Sequence, residues 1–179
     1  MKNLSIYVAG AFSLLLVSCH SEPSLQKYFV ENSERKDFIA LDISPSVLNV
    51  DKSKLTAAQT KALGSFDKMN ILAFKRNDKN AMKFETERSK VNAILKVEKY
   101  QQLMRFGSGK DGAVISFVGT DEHIEEFVVY ANNSESGFAI VRVLGKDMNP
   151  TDIMNMISLI KDSKLNLEQL KPLQQMMQH

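Results

Sequence analysis

The densest set of ionisable side chains is the stretch TDEHIEEF, which places Asp121, Glu122, His123, Glu125 and Glu126 side by side. Carboxylate oxygens and an imidazole nitrogen are donors that divalent metals accept. On a strand, successive residues point to opposite faces, so His123 and Glu125 share one side while Glu122 and Glu126 take the other. Two donors on a side are few for a metal. The segment reads as a solvated hairpin turn, with a weak metal site as the alternative. A second candidate, GSGKDG at 107–112, has the glycine amides and lysine of a phosphate cradle. Its order is wrong: a P-loop leaves a strand, enters a helix and follows its lysine with Ser or Thr, whereas this segment is expected to leave a helix, carries Lys110-Asp111 and enters a strand. The stretch NNS at 132–134 fits a glycosylation spacing by letter but reads as a turn. No serine sits in G-x-S-x-G, and His123 is the sole internal histidine, since His20 and His179 lie near the chain ends. No catalytic residue, metal ligand or cofactor is assigned. Triads assemble from distant positions, so a hydrolase with no local motif stays among the alternatives.

The remaining reactive group is Cys19, the single cysteine in 179 residues. It ends the stretch FSLLLVSC, after a start whose only charge is Lys2 and an apolar run from Leu4 to Val17 broken by Ser5, Gly10 and Ser13. A membrane-crossing helix needs about 20 apolar residues. This run is shorter and reads as a targeting segment, to be left out of the fold. Leu16-Val17-Ser18-Cys19 resembles a bacterial lipobox, in which a large aliphatic residue, a tolerant position and a small residue precede the cysteine. The resemblance implies cleavage between Ser18 and Cys19 and lipid attachment at Cys19. An ordinary secretory signal or an uncleaved anchor are the alternatives. A lone exported cysteine has no intramolecular disulfide partner, which favours the lipobox. One acyl chain holds a protein only marginally, at about 0.8 kcal/mol per buried methylene, whereas two hold it stably.

Removing residues 1–18 from 179 leaves 161, enough for one domain with its own core. Formal charge is +2, with acidic and basic residues interspersed, which argues against nucleic acid as a partner. A hydrophobic content of 44% is too apolar for a disordered chain.

Residues 19–24 form a short linker. Spacing of Leu25, Tyr28 and Phe29 predicts a helix over about Leu25–Arg35, and the alternation of Phe38–Ile43, ended by Pro45, predicts a strand. Thr56-Ala-Ala-Gln59 has capping-box spacing, with Gly64 near the helix end. Met69–Lys75 reads as a strand. From Ala81 to Phe106, the residues Phe84, Val91, Ile94, Leu95, Tyr100, Leu103 and Met104 fall largely on one helical face, predicting a long amphipathic helix with Leu95 buried. Three apolar runs, Ala113–Val118, Ile124–Ala131 and Phe138–Leu144, separated by turn-rich connections, predict a meander. Asn149-Pro150 opens a last helix through Ile153, Met156, Ile157 and Ile160. The order αβαβαβββα implies an α+β fold with a mainly antiparallel sheet of about five strands. One domain is expected over 25–165, followed by an amphipathic tail, 166–179, carrying Leu167, Leu170, Leu173 and Met177 around Pro172.

These pieces together resemble a family of small Bacteroidota lipoproteins, domain of unknown function 4252. The resemblance rests on the lipobox, the strand at FIALDIS, Tyr100, Leu103 and Met104, and the stretch IEEFVVYANNSESGFAIVRVLGKDM. The ending Gly145-Lys146-Asp147 departs from the commoner one by inserting Lys146. The family has no assigned reaction, so the resemblance carries over no functional residue beyond Cys19.

The function expected is a noncatalytic binding or sensing module, tethered through its lipid to the bacterial envelope, on the periplasmic side of the outer membrane. Its partner would be an envelope protein; the sequence does not set the oligomeric state. The alternatives are an accessory subunit docking through the tail, whose apolar stripe monomers seldom leave exposed, and the hydrolase noted above.

Overall fold

The computed structural model describes residues 22–47, 51–108 and 111–162. It begins with helix α1 (Leu25–Asn32), whose first turn is capped by the Ser24 hydroxyl accepting from the Lys27 amide. Strand β1 (Phe38–Ile43) leads through short 3-10 turns to α2 (Ala57–Ser65). Thr56 and Gln59 close the capping box at its start in both directions. Strand β2 (Phe66–Lys75) and helix α3 (Ala81–Ile94) follow. Four consecutive strands come next, β3 (Gln101–Ser108), β4 (Asp111–Thr120), β5 (His123–Asn133) and β6 (Gly137–Met148), and then α4 (Pro150–Asp162). Asn149 and Asp152 cap α4 reciprocally: the Asn149 side chain accepts from the Asp152 amide at 2.9 Å, and Asp152 accepts from the Asn149 amide at 3.3 Å.

The strands form one antiparallel sheet in the order β1-β2-β6-β5-β4-β3. Alternation along each strand separates two faces. On the first, Phe38, Phe74 and Phe138 meet α1 and α3 through Tyr28, Phe29, Phe84, Val91 and Ile94. The rings of Phe74 and Phe138 stack 5.5 Å apart, and Phe38 stands edge-on to Phe74 at 5.1 Å. On the second, Ile43, Met69, Val143, Phe127 and Phe117 make one cross-strand row that packs with Ala62, Ile153, Met156 and Leu159 from α2 and α4. The architecture is therefore α+β, with a sheet carrying helices on both faces.

The sheet has six strands rather than about five. The long helix expected over Ala81–Phe106 stops at Ile94, and residues 101–108 are strand β3. Gln, Leu, Met and Arg are good helix formers, so QQLMR carries no local signal against a helix. Tertiary contacts override that preference. Beyond Ile94 the backbone makes short i to i+3 bonds, Lys96 to Ala93, Val97 to Ile94 and Tyr100 to Val97. These turns deliver Tyr100 into the core, where its hydroxyl accepts from the Leu25 amide at 3.1 Å. The chain then reverses direction and pairs along β4. Leu95 is only partly buried, packed at the margin of the first core, because it lies at the helix end rather than mid-helix.

Candidate functional site

Four sets of buried or clustered charges could hold chemistry, and the two buried ones, around Arg142 and Glu87, are paired inside the fold. Arg142, on the first face of β6, has a side chain 3% exposed; its Nε donates to Glu126 at 2.7 Å and its Nη1 to Gln26 of α1 at 3.0 Å. Its guanidinium also lies 5.1 Å from the centre of the Phe29 ring. It belongs to a lateral row, Asp42, Asn70, Arg142, Val128, Ser116 and Gln102, that crosses all six strands. A cavity of about 140 Å³ opens beside it, lined by Gln26, Phe29, Asp42, Lys68 and Asn70 among others. With its charge matched by Glu126, Arg142 serves to pin α1 to the sheet. Glu87 of α3 is the second: buried, it accepts from Tyr28 at 2.9 Å, Lys90 at 3.0 Å and Arg35 at 3.3 Å, tying α1 to α3. Burial first, and then the neighbouring Glu87 charge, push the Tyr28 phenol well above its ordinary range.

The third cluster is TDEHIEEF. Asp121 and Glu122 sit in the tight turn between β4 and β5, exposed, and Glu125 is exposed on β5. His123 is exposed and meets Asp147 of β6, Nδ1 to Oδ1 at 2.9 Å, a partner that lies 24 residues away in sequence. Glu126 turns inward to Arg142. The alternation expected here is interrupted, because β5 shifts register between Ile124 and Glu126. Among the described residues no group of three or more His, Cys, Asp or Glu side chains is placed to hold a metal ion. The fourth, around GSGKDG, is the turn of the β3–β4 hairpin: it leaves a strand, and Gly107 pairs with Gly112 at a left-handed φ of 72°. The NNS stretch is likewise a hairpin turn, in which the Asn133 side chain accepts from the amides of Glu135 and Ser136.

Ser18, Cys19 and the tail from 166 lie outside the described residues. Among the described residues no helix is long and apolar enough to cross a membrane.

The feature that sequence reading missed is the outer strand β3. Among the described residues it pairs only with β4, so its other side is a sheet edge. Its side chains Leu103, Met104 and Phe106 are 45, 44 and 52% exposed. Leu103 sits where the register shifts between Gln102 and Met104, a bulge in the strand. The one charge in β3 is Arg105, and it contains no proline. The opposite edge contrasts with it: β1 is six residues long, carries Asp42 and is followed by Pro45, the devices by which proteins blunt a sheet edge. Reading QQLMRF as helix hid this edge; the signal available was the glycine-rich GSGKDG that follows, which suits a hairpin as readily as a helix end.

The structure thus defines an α+β domain with one guarded and one apolar sheet edge. The profile of a domain of unknown function (DUF4252) matches residues 28–156, and the chain belongs to that family. No curated protein and no solved structure matches it.

Proposed function

We propose that the protein is a membrane-tethered, noncatalytic binding module that takes an extended segment of an envelope protein onto the β3 edge. The observation that carries this reading is the edge strand Gln101–Ser108, paired on one side only among the described residues, with three large apolar side chains about half exposed. Strand addition draws affinity from main-chain hydrogen bonds and specificity from side chains at alternate positions, and β3 offers both. An exposed apolar edge is otherwise an aggregation liability. The pairing of Arg142, Glu87 and His123 with residues of the fold supports a binding role over a catalytic one.

The tether rests on Cys19, which precedes α1 by a short linker and holds the domain close to its membrane. Replacing Cys19 with Ala is expected to abolish lipid labelling and membrane partitioning while leaving the domain folded, as read by labelled palmitate, fractionation and circular dichroism. Full lipid labelling of the variant would remove the tether from the reading.

The edge is tested with a photo-crosslinking residue at Leu103 of the lipidated chain in intact cells. A discrete protein adduct is expected, lost when Met104 and Phe106 are both replaced by Glu. Those substitutions lie on exposed positions and should change stability by only about 0.5 kcal/mol each. An adduct that survives both replacements, or none at all, would refute strand addition at β3.

A further inference from the structure

The second sheet face is apolar well beyond the row that α2 and α4 cover. Two further rows cross all six strands: Leu41, Ile71, Val141, Val129, Ile115 and Met104, then Ile39, Ala73, Ala139, Ala131, Ala113 and Phe106. Every one of these twelve residues is apolar. On β2 they are buried, but exposure increases toward β3: Val141, Val129 and Ile115 are half-buried, Ala131 is exposed, and Met104 and Phe106 are about half exposed. The half of the face from β6 to β3 is thus only partly covered among the described residues, with Val141, Val129 and Ile115 at the margin of the second core and the exposure greatest at β3.

We propose that residues 163–179 fold back over this half-face. Helix α4 lies on this same face through Ile153, Met156 and Leu159, and its last described residue is Asp162. The seventeen residues that follow carry Leu165, Leu167, Leu170, Leu173, Met176 and Met177. The dimensions agree. Four strands of about 4.8 Å each and two rows of about 6.7 Å each make a patch of about 260 Å². A helix rises about 1.5 Å per residue and is about 10 Å across, so the nine residues before Pro172 and the seven after it, as two short stretches, are together long enough to cover such a patch. A stable interface between two copies buries about 800 Å² on each, several times what the patch offers. The proposal goes beyond strand addition, since it uses the face of the sheet and leaves the backbone edge of β3 free.

The test places the photo-crosslinking residue p-benzoylphenylalanine at Ile115 in one full-length variant and at Val129 in another, with the exposed Met82 on α3 as the control position. Irradiation is expected to join the Ile115 and Val129 positions to peptides from 163–179 within one molecule, with a yield independent of protein concentration, and to give no such product from Met82. In a second variant Leu167, Leu170 and Leu173 are all replaced by Asp, which leaves the described core untouched. That variant is expected to lose the crosslink and to show faster amide exchange in β4 and β5. Products joining two copies, another protein or lipid, without the intramolecular one, would overturn the proposal. So would unchanged exchange in the triple variant. The tail crosslinks are read with Met104 and Phe106 native, and the Leu103 adduct is also read in the tail variant, where its persistence without the tail crosslink separates the β3 edge from the covered face.

Discussion

Arg142 shows how a single buried charge trades stability for placement. Its guanidinium is 97% buried by side-chain area, and its partner Glu126 is 12% exposed, so neither ion has much water to fall back on. Removing one member leaves the other desolvated and unmatched, which costs about 3–5 kcal/mol, whereas removing both can be near neutral. Arg142→Met is therefore expected to destabilise by about that amount in chemical denaturation. Adding Glu126→Met should recover most of it, with the residue of the loss reporting the Gln26 bond that holds α1. A double variant as unstable as the single one would mean that the pair does more than neutralise itself.

At the scale of elements, α3 is held by a few residues on one side. Phe84 is fully buried, with its ring 6.0 Å from Phe74 and 6.1 Å from Phe138. Phe84→Ala is expected to cost about 3–5 kcal/mol, because the rigid aromatic cluster cannot collapse into the space. Leu95 lies at the end of the same helix and is only partly buried, so Leu95→Ala should cost less than the about 2–5 kcal/mol of a buried leucine. Thermal and urea unfolding of the two variants, compared directly, checks the helix end at Ile94. Equal losses would restore a helix running on past Leu95.

For the whole molecule, the tyrosines make stability depend on alkaline pH. Burial raises Tyr28, Tyr100 and Tyr130, the last to about 12, and Tyr130 finds no hydrogen-bond partner for its hydroxyl among the described residues. A phenol whose folded pKa lies above its unfolded value of about 10 contributes stability that is intact below pH 10 and lost as pH rises through the folded value. The domain is therefore expected to lose stability above about pH 10, with phenolate absorbance appearing together with unfolding rather than before it. Tyr28→Phe should weaken that dependence, at the cost of one donor to Glu87. Phenolate absorbance rising fully in the folded state would show that these hydroxyls are accessible.

Local chemistry made much of this protein legible in its sequence. The alternation in FIALDI set β1 to the residue, the Thr56–Gln59 box placed the start of α2, and Asn149-Pro150 placed α4, because caps and period-two patterns act within a few residues. The apolar runs after 111 likewise read directly as the β4-β5-β6 meander. The resemblance of Leu16–Cys19 to a lipobox is a reading of the sequence alone, and those residues lie outside the described ones. Tertiary structure decided what depends on distant partners. Residues 95–106 carry helix-forming side chains, and only the Tyr100 anchor and the pairing with β4 make them turns and a strand. The same holds for charge: His123 meets Asp147 and Glu126 meets Arg142 across strands, contacts whose partners no spacing announces. A face or an edge also becomes open only once the strand order is known, which is why the β3 edge and the partly covered half-face belong to the tertiary structure.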